Sequence, residues 1–359
     1  MLNLTSPGKG LQLAGALAGL LLITSACGAT DGGQSPGGNK TAVVPVVGLL
    51  NTRSLPDVPA THKRFKAAVF VAQQQQGDAI SYTEALKDFG AKHGLDVHVY
   101  NAGSYSDIDK QINQIRTALT THPDIMIVWA TDPNAVVPAL TQAAAQGVKI
   151  MNWIVPSAYD KPVSSIYTDF KHDSYNLTKT VGKIIGGKGK LVTAFGGCGG
   201  SYQRDLQAGA DKAASDTPGL EITVKECPSD FDPSKVQAIV DNALVAHPDI
   251  AGVLTSVVSQ AVGAVNAIQA SGAKGHVVVA SGILTSCDDV KLVKDNRVPV
   301  VAGVPSAYMG RLGAAVAIRS LLSLPIDKTY VIPSNIYTAA NIGKADLTQD
   351  LTDQFLKGC

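Results

Sequence analysis

The chain has almost no charge imbalance: 30 Lys and Arg stand against 29 Asp and Glu, a formal net charge of +1 over 359 residues. Residues 1–26 carry a single charged side chain, Lys9, so the remainder is formally neutral. A neutral body has no basic footprint for nucleic acid and no electrostatic match to a strongly anionic surface, which excludes both partners. The chain also lacks an HExxH pair, a P-loop and a dinucleotide fingerprint. Its GxSxG match, Gly33-Gln34-Ser35-Pro36-Gly37, lies in a Gly-rich stretch ahead of the first expected strand, where no nucleophile elbow is expected. No CxxC pair is present and no histidine spacing completes a zinc pattern. The adjacent acids Asp288-Asp289, and Asp205 beside Arg204, read as solvated turns rather than acid–base pairs. No catalytic residue, metal or cofactor is therefore expected.

What is there begins with export. Lys9 precedes an apolar run from Leu11 to Ile23, then Thr24-Ser25-Ala26 and Cys27. A short charged start, an apolar segment too short to span a bilayer and a small-residue cleavage site describe a signal peptide over 1–26. The Ser-Ala-Cys ending resembles the lipobox of bacterial lipoproteins, although Thr24 replaces the usual Leu. The resemblance makes Cys27 the lipidated first residue, anchoring an exported protein to the outer face of the membrane. The competing reading is an ordinary signal peptide that happens to end in Cys. Gly28–Lys40 is rich in Gly without apolar periodicity, so 27–65 is read as a flexible tether and lead-in segment.

From Lys66 onward, short apolar runs alternate with amphipathic helical stretches. Strands are expected at 67–72, 96–100, 125–130, 148–153, 164–168, 190–195, 221–226, 252–255, 277–280 and 298–303. Continuous apolar strands alternating with helices predict parallel sheets covered on both faces, an α/β doubly wound fold. With 45% hydrophobic residues, the chain has apolar material for two cores. It also repeats itself: His122-Pro123-Asp124-Ile125 recurs as His247-Pro248-Asp249-Ile250. The preceding helices match in register, Lys110 with Lys235 and Ala118-Leu119 with Ala243-Leu244. Two similar lobes follow, and the two histidines read as turn residues.

Asp132-Pro133 before the helix at 136–146, Tyr167-Thr168-Asp169, Arg204 and Gly209 within 201–209, and the strand 252–255 occur in an order that resembles a known family. It is the type I periplasmic sugar-binding proteins that serve ABC transporters, of the ribose- and galactose-binding-like group, which includes TorT-like and autoinducer-binding sensors. The resemblance spans about Lys66 to Ile342. It implies two doubly wound parallel-sheet lobes joined by three crossovers, with the ligand in the cleft between them. The expected N-lobe is 66–169 plus 283–324 and the C-lobe 170–282, with 325–359 as third crossing and tail. Ligands in open α/β sheets sit beyond the carboxyl ends of the strands, so the cleft is also the physically expected site.

In the cleft the resemblance makes Arg204 the leading ligand-binding residue, a donor fork beside the Gly196–Gly200 turn, with a surface salt bridge as the alternative. Trp153, after Asn152, would stack on a ring or pyranose face; the alternative is a core tryptophan. Gln73 or Gln75 from the Gln73–Gln76 run would hydrogen-bond the ligand. Asp169, Phe170, Tyr202, Ser256 and Ser281 complete the candidate set. Val257-Val258, Gly282 and about Val304 stand where sugar-binding relatives carry polar anchors. Each lost hydrogen bond costs about 1 kcal/mol or more, which favours a less hydroxylated solute than ribose.

Four cysteines beyond Cys27 allow three connectivities; the strand order implied by the resemblance pairs Cys198 with Cys227 and Cys287 with Cys359. The expected function is capture of a small polar solute by a monomer that touches the membrane only through its lipid and delivers to an ABC permease. The alternative is a receptor that presents occupancy to a sensor kinase.

Overall fold

The computed structural model describes residues 41–43, 53–273 and 277–359. The signal segment, Cys27 and the Gly28–Lys40 tether lie outside these residues. No described helix is long and apolar enough to cross a membrane.

Along the chain, β1 (Thr41–Val43) and β2 (Phe65–Val71) are followed by α1 (Gly77–Lys92), β3 (Leu95–Asn101), α2 (Ile108–Leu119) and β4 (Ile125–Val128). Next come α3 (Val137–Ala145), β5 (Lys149–Ile154) and β6 (Ser164–Tyr167). These strands, with a later β12 (Thr329–Val331), form a parallel seven-stranded sheet in the order β1-β12-β6-β5-β4-β2-β3. β4 is the apolar run IMIV, buried at every position, as a central strand covered on both faces must be.

The chain crosses to the second lobe at Thr168–Asp169, where the Asp169 carboxylate accepts the His172 backbone N–H and caps α4 (Phe170–Ile184). Then follow β7 (Gly189–Ala194), α5 (Ser201–Ser215), β8 (Leu220–Glu226), α6 (Pro233–Ala246) and β9 (Ile250–Val257). After them come α7 (Val258–Ser271), β10 (Val278–Ile283), α8 (Cys287–Lys294) and β11 (Val300–Gly303). These strands and β13 (Asn335–Tyr337) form a six-stranded sheet in the order β13-β11-β10-β9-β7-β8, parallel except for β13. Between the sheets run α9 (Ser306–Leu321), packed on α1, and the crossing from β12 to β13 through Ile332–Ser334. A short α10 (Asp353–Leu356) follows β13.

The doubly wound two-lobe architecture is as expected, and all ten expected strands are present. Three-residue strands β1, β12 and β13 are additional, too short to print a pattern. β1 falls inside the segment read as tether. The expected lobe boundary at Ile283 is corrected. β10 runs through Ser281-Gly282 without a break, and β11 pairs with it, Ala280 opposite Val300. Gly282 allows that passage: a Cβ there would stand 2.1 Å from the Ser256 carbonyl oxygen. The chain therefore leaves the second sheet only at Val304–Pro305, and residues 283–303 belong with the second sheet.

The internal repeat has a structural basis. Asp124 Oδ2 accepts the Lys66 backbone N–H at the start of β2, and Asp249 pairs with Lys190 at the start of β7. Each aspartate ties the base of its strand to the base of its lobe's first strand. His122 is a turn residue with φ of 50°, and His247 is the C-cap of α6. Both expected disulfides are formed, Cys198–Cys227 and Cys287–Cys359, with Cα separations of 5.2 and 5.3 Å.

Candidate functional site

The carboxyl ends of β2, β4 and β5 in one lobe face those of β9 and β10 in the other, with the first turns of α1, α4 and α5 between them. They enclose a cavity of about 20 Å³, room for about one water. Six aromatic rings wall it: Tyr82, Tyr105 and Trp129 from the first lobe, and Phe170, Tyr202 and Phe231 from the second. Ile154, Val257 and Ile283 fill between the rings, and Gln73 and Asp78 complete the lining.

The rings are locked against one another. Trp129 meets Tyr82 edge-on at 5.9 Å and Tyr105 at 6.3 Å, and its Nε1 donates to Tyr105 Oη at 2.9 Å. Phe170 stands perpendicular to Tyr202 at 4.7 Å, and Tyr202 Oη donates to the Ser256 carbonyl at 3.3 Å. Such pairs add roughly 0.5–1.5 kcal/mol beyond area burial. Ile154 is held at φ of 61° in a three-residue turn closed by Val155 N–H to Trp153 C=O at 2.7 Å. A β-branched residue there is strained, and such strain gathers at binding sites.

Asp78 lies in the first turn of α1, 3% exposed. Its Oδ1 has no hydrogen-bond partner. Burial pushes this carboxyl up to about 7, partly offset by the backbone N–H groups of Ala79 and Asp78, while nearby Asp289 pushes it up further. Gly77 brings α1 against the second lobe: a Cβ there would stand 1.9 Å from the Thr285 carbonyl oxygen. Gln76 Oε1 accepts from Ser259 Oγ across the same gap at 2.9 Å. Beside the cavity, a groove of about 270 Å³ shares Ile154, Phe170 and Tyr202 with it and carries Asp169, Asp205 and Lys171.

Residues 68–322 match the family described as a periplasmic binding protein domain. The chain belongs to the periplasmic binding protein family. Its group is the type I, ribose- and galactose-binding-like one. It is 23% identical over 283 residues to the ribose import binding protein of Bacillus subtilis, covering 79% of this chain and 90% of that one. The ribose import binding protein of Salmonella typhimurium is 25% identical over 69% of this chain and 83% of its own length. A sugar ABC transport substrate-binding protein from Bordetella parapertussis superposes with a TM-score of 0.76 at 20% identity, covering 84% of this chain and 97% of that one. This is a family of substrate-binding proteins.

In this binding protein three expected site residues, Gln73, Phe170 and Tyr202, do line the cavity. Asp169 lies in the adjoining groove as the cap of α4. The others are placed elsewhere. Arg204 is exposed, and its Nη1 donates to the Gly199 carbonyl at 2.7 Å, so its donors are turned to the glycine turn rather than the cavity. Trp153 is fully buried beneath α9, edge-on to Tyr82, with Nε1 donating to the Met309 carbonyl: it is the core tryptophan of the alternative reading. Asn152 holds the Ser157 turn, its Oδ1 accepting from Ser157 N–H and Oγ–H. Gln75 is exposed and donates to the Gly103 carbonyl. Ser256 and Ser281 are buried behind the wall, Ser281 Oγ accepting from Thr255 Oγ1. Asp289, read as a solvated acid, is 4% exposed and closes the capping box of α8 with Ser286.

Sequence reasoning missed Asp78, Tyr82, Tyr105, Trp129 and Phe231. Trp129 carried a usable signal: it directly follows the all-buried β4, where a central parallel strand opens onto the cleft.

Proposed function

We propose that this protein is an extracytoplasmic solute receptor, tethered by lipidated Cys27, that captures a small polar molecule between its lobes and delivers it to an ABC permease. The observation that carries this reading is a single cavity whose aromatic wall is contributed half by each lobe. Such a wall is complete only when the lobes close, so binding and closure are one event and no bond is broken. The three crossings at 168–169, 304–305 and 332–334 serve as the hinge between the lobes.

Relatives named as ribose- and xylitol-binding proteins support a small polar solute. The lining here offers few polar partners besides Gln73, Asp78 and the tyrosine hydroxyls, which favours a solute with fewer hydroxyls than ribose. Buried hydroxyls without partners would cost about 1–3 kcal/mol each. The receptor acts as a monomer, without cofactor, and meets the membrane through its lipid alone.

Mass spectrometry of small molecules released from the purified full chain tests the first part, together with solution scattering before and after adding them back. A released molecule that compacts the protein on return supports the reading; no molecule and no compaction with any candidate solute overturns it. Membrane fractionation tests the anchor: Cys27→Ala is expected to move the protein from the membrane to the soluble fraction.

A further inference from the structure

We propose that the solute carries a positive charge: a small organic cation, a quaternary or protonated amine, seated on the aromatic rings with its charge against Asp78. This rests on the receptor reading above and specifies its ligand class.

The argument begins with a carboxylate that has no counter-ion. Asp78 lies at the cavity, almost fully buried, with Oδ1 unpartnered. No lysine, arginine or histidine is among the described residues lining the cavity. The charged group that bears on Asp78 is Asp289, beyond Thr285, which opposes its ionisation. The hydroxyls of Tyr82, Tyr105 and Tyr202 stay neutral and supply no counter-charge, their own ionisation being opposed by burial and by Asp78. A buried carboxylate so placed either takes up a proton or is paired by a cation from outside. The proton is available to any protein, but the aromatic wall is not needed for it.

The walls supply the second, independent observation. Aromatic faces attract cations through their quadrupole, most strongly from Trp and Tyr and most of all when water is excluded. Trp129, Tyr82, Tyr105 and Tyr202 line the same interlobe cavity as the carboxylate. A neutral polyol would use the rings for stacking but would leave its hydroxyls short of partners, whereas an alkylated ammonium needs few hydrogen bonds. The expected arginine, which would repel such a solute, points elsewhere. The cavity of about 20 Å³ is smaller than these solutes, so their bulk sets where the closing lobes stop.

Calorimetry at pH 7.5 on the full chain tests this, with choline, tetramethylammonium and glucosamine as cations and ribose, xylitol and myo-inositol as neutral probes. At least one cation is expected to bind with a Kd at least tenfold below that of the tightest neutral probe. Asp78→Asn is expected to weaken that cation at least tenfold. As a check that needs no variant, binding of the cation at pH 6.5 should release protons, seen as heat that varies with the buffer's ionisation enthalpy. If a neutral probe binds tightest, or Asp78→Asn folds and binds the cation unchanged, or no proton is released, the cation assignment is overturned while the receptor reading stands. If no probe of either class binds and the purified protein carries no solute, both fall.

Discussion

The ring of Tyr105 in the first lobe lies parallel to that of Tyr202 in the second, 8° apart with centroids 6.3 Å from each other. Tyr105 also lies over the glycine turn before α5: a Cβ on Gly200 would stand 3.0 Å from its ring. The pair is thus the place where the aromatic walls of the two lobes meet. Tyr105→Ala removes this contact and leaves the buried Trp129 N–H without its acceptor, a loss of about 1–3 kcal/mol. The closed form is expected to lose population, visible as a larger radius of gyration by scattering, with solute affinity at least tenfold weaker. Tyr202→Phe, which gives up one hydrogen bond to a carbonyl, is expected to cost about 1 kcal/mol.

Stability is expected to fall as pH rises from about 4 to about 7. Asp78, Asp173 and Asp350 are each pushed by burial from 3.8 up to about 7 in the folded protein. Hydrogen bonds from Ser334 to Asp173 and from Tyr337 to Asp350 only partly oppose this. In that window the folded state holds protons that the unfolded chain has released, so raising the pH favours unfolding. Below the unfolded value both states are protonated and the contribution is complete. Asp78→Asn removes one such group and is expected to gain roughly 1–3 kcal/mol relative to wild type at pH 8, with little difference at pH 4. Thermal melts of the two proteins across this range measure it; an equal difference at both ends would refute the assignment.

Arg204→Ala is expected to leave solute affinity within twofold of wild type, because its guanidinium is exposed and bonded to Gly199. A tenfold loss by calorimetry would return Arg204 to the site.

Arg204 and Trp153 show where the sequence stops being readable. The ten longer strands, the repeat and the lobes are legible because buried parallel strands print continuous apolar runs. The site depends on where each strand ends. Trp129 and Trp153 end neighbouring strands, but β4 stops at Val128 while β5 continues through Ile154. Trp129 therefore emerges at the cleft and Trp153 stays in the pleat beneath α9. Asp78 looks in sequence like any acid in a first helical turn, a common dipole partner. Its burial comes from Gly77 admitting the second lobe, a contact across 208 positions that no local pattern records. The Ile283 boundary failed for a related reason: Ser281-Gly282 resembles a hinge locally, and only its fit against Ser256 shows a continuous strand.

The two disulfides should differ in what they hold. Cys198–Cys227 joins the loops after β7 and β8 over a separation of 29 residues, and Cys287–Cys359 ties the last residue to α8 over 72. Loop entropy makes the second worth somewhat more in the unfolded state, about 4 kcal/mol against about 3.5. Removing the first is expected to loosen the glycine turn under Tyr105 and so weaken solute binding as well as stability. Removing the second is expected to lower stability with affinity preserved. Paired Cys→Ser variants, melted and titrated, separate the two effects.

The chain's two tryptophans make closure directly observable. Trp129 lines the cavity, with Nε1 bonded to a hydroxyl that sits against the other lobe. Trp153 is sealed in the first lobe, bonded to the Met309 carbonyl. Lobe movement alters the surroundings of the first ring and not the second. Solute binding is expected to change the intrinsic fluorescence of wild type and of Trp153→Phe alike, and to leave that of Trp129→Phe nearly unchanged. Trp153→Phe removes a buried hydrogen bond and part of a core ring, so its cost of about 1–3 kcal/mol should appear in the melting temperature instead. Trp129→Phe keeps an aromatic face but forfeits the bond to Tyr105, so its weaker binding should accompany the lost signal. A solute response that survives in Trp129→Phe and vanishes in Trp153→Phe would move the site away from the interlobe cavity and onto the first lobe's core.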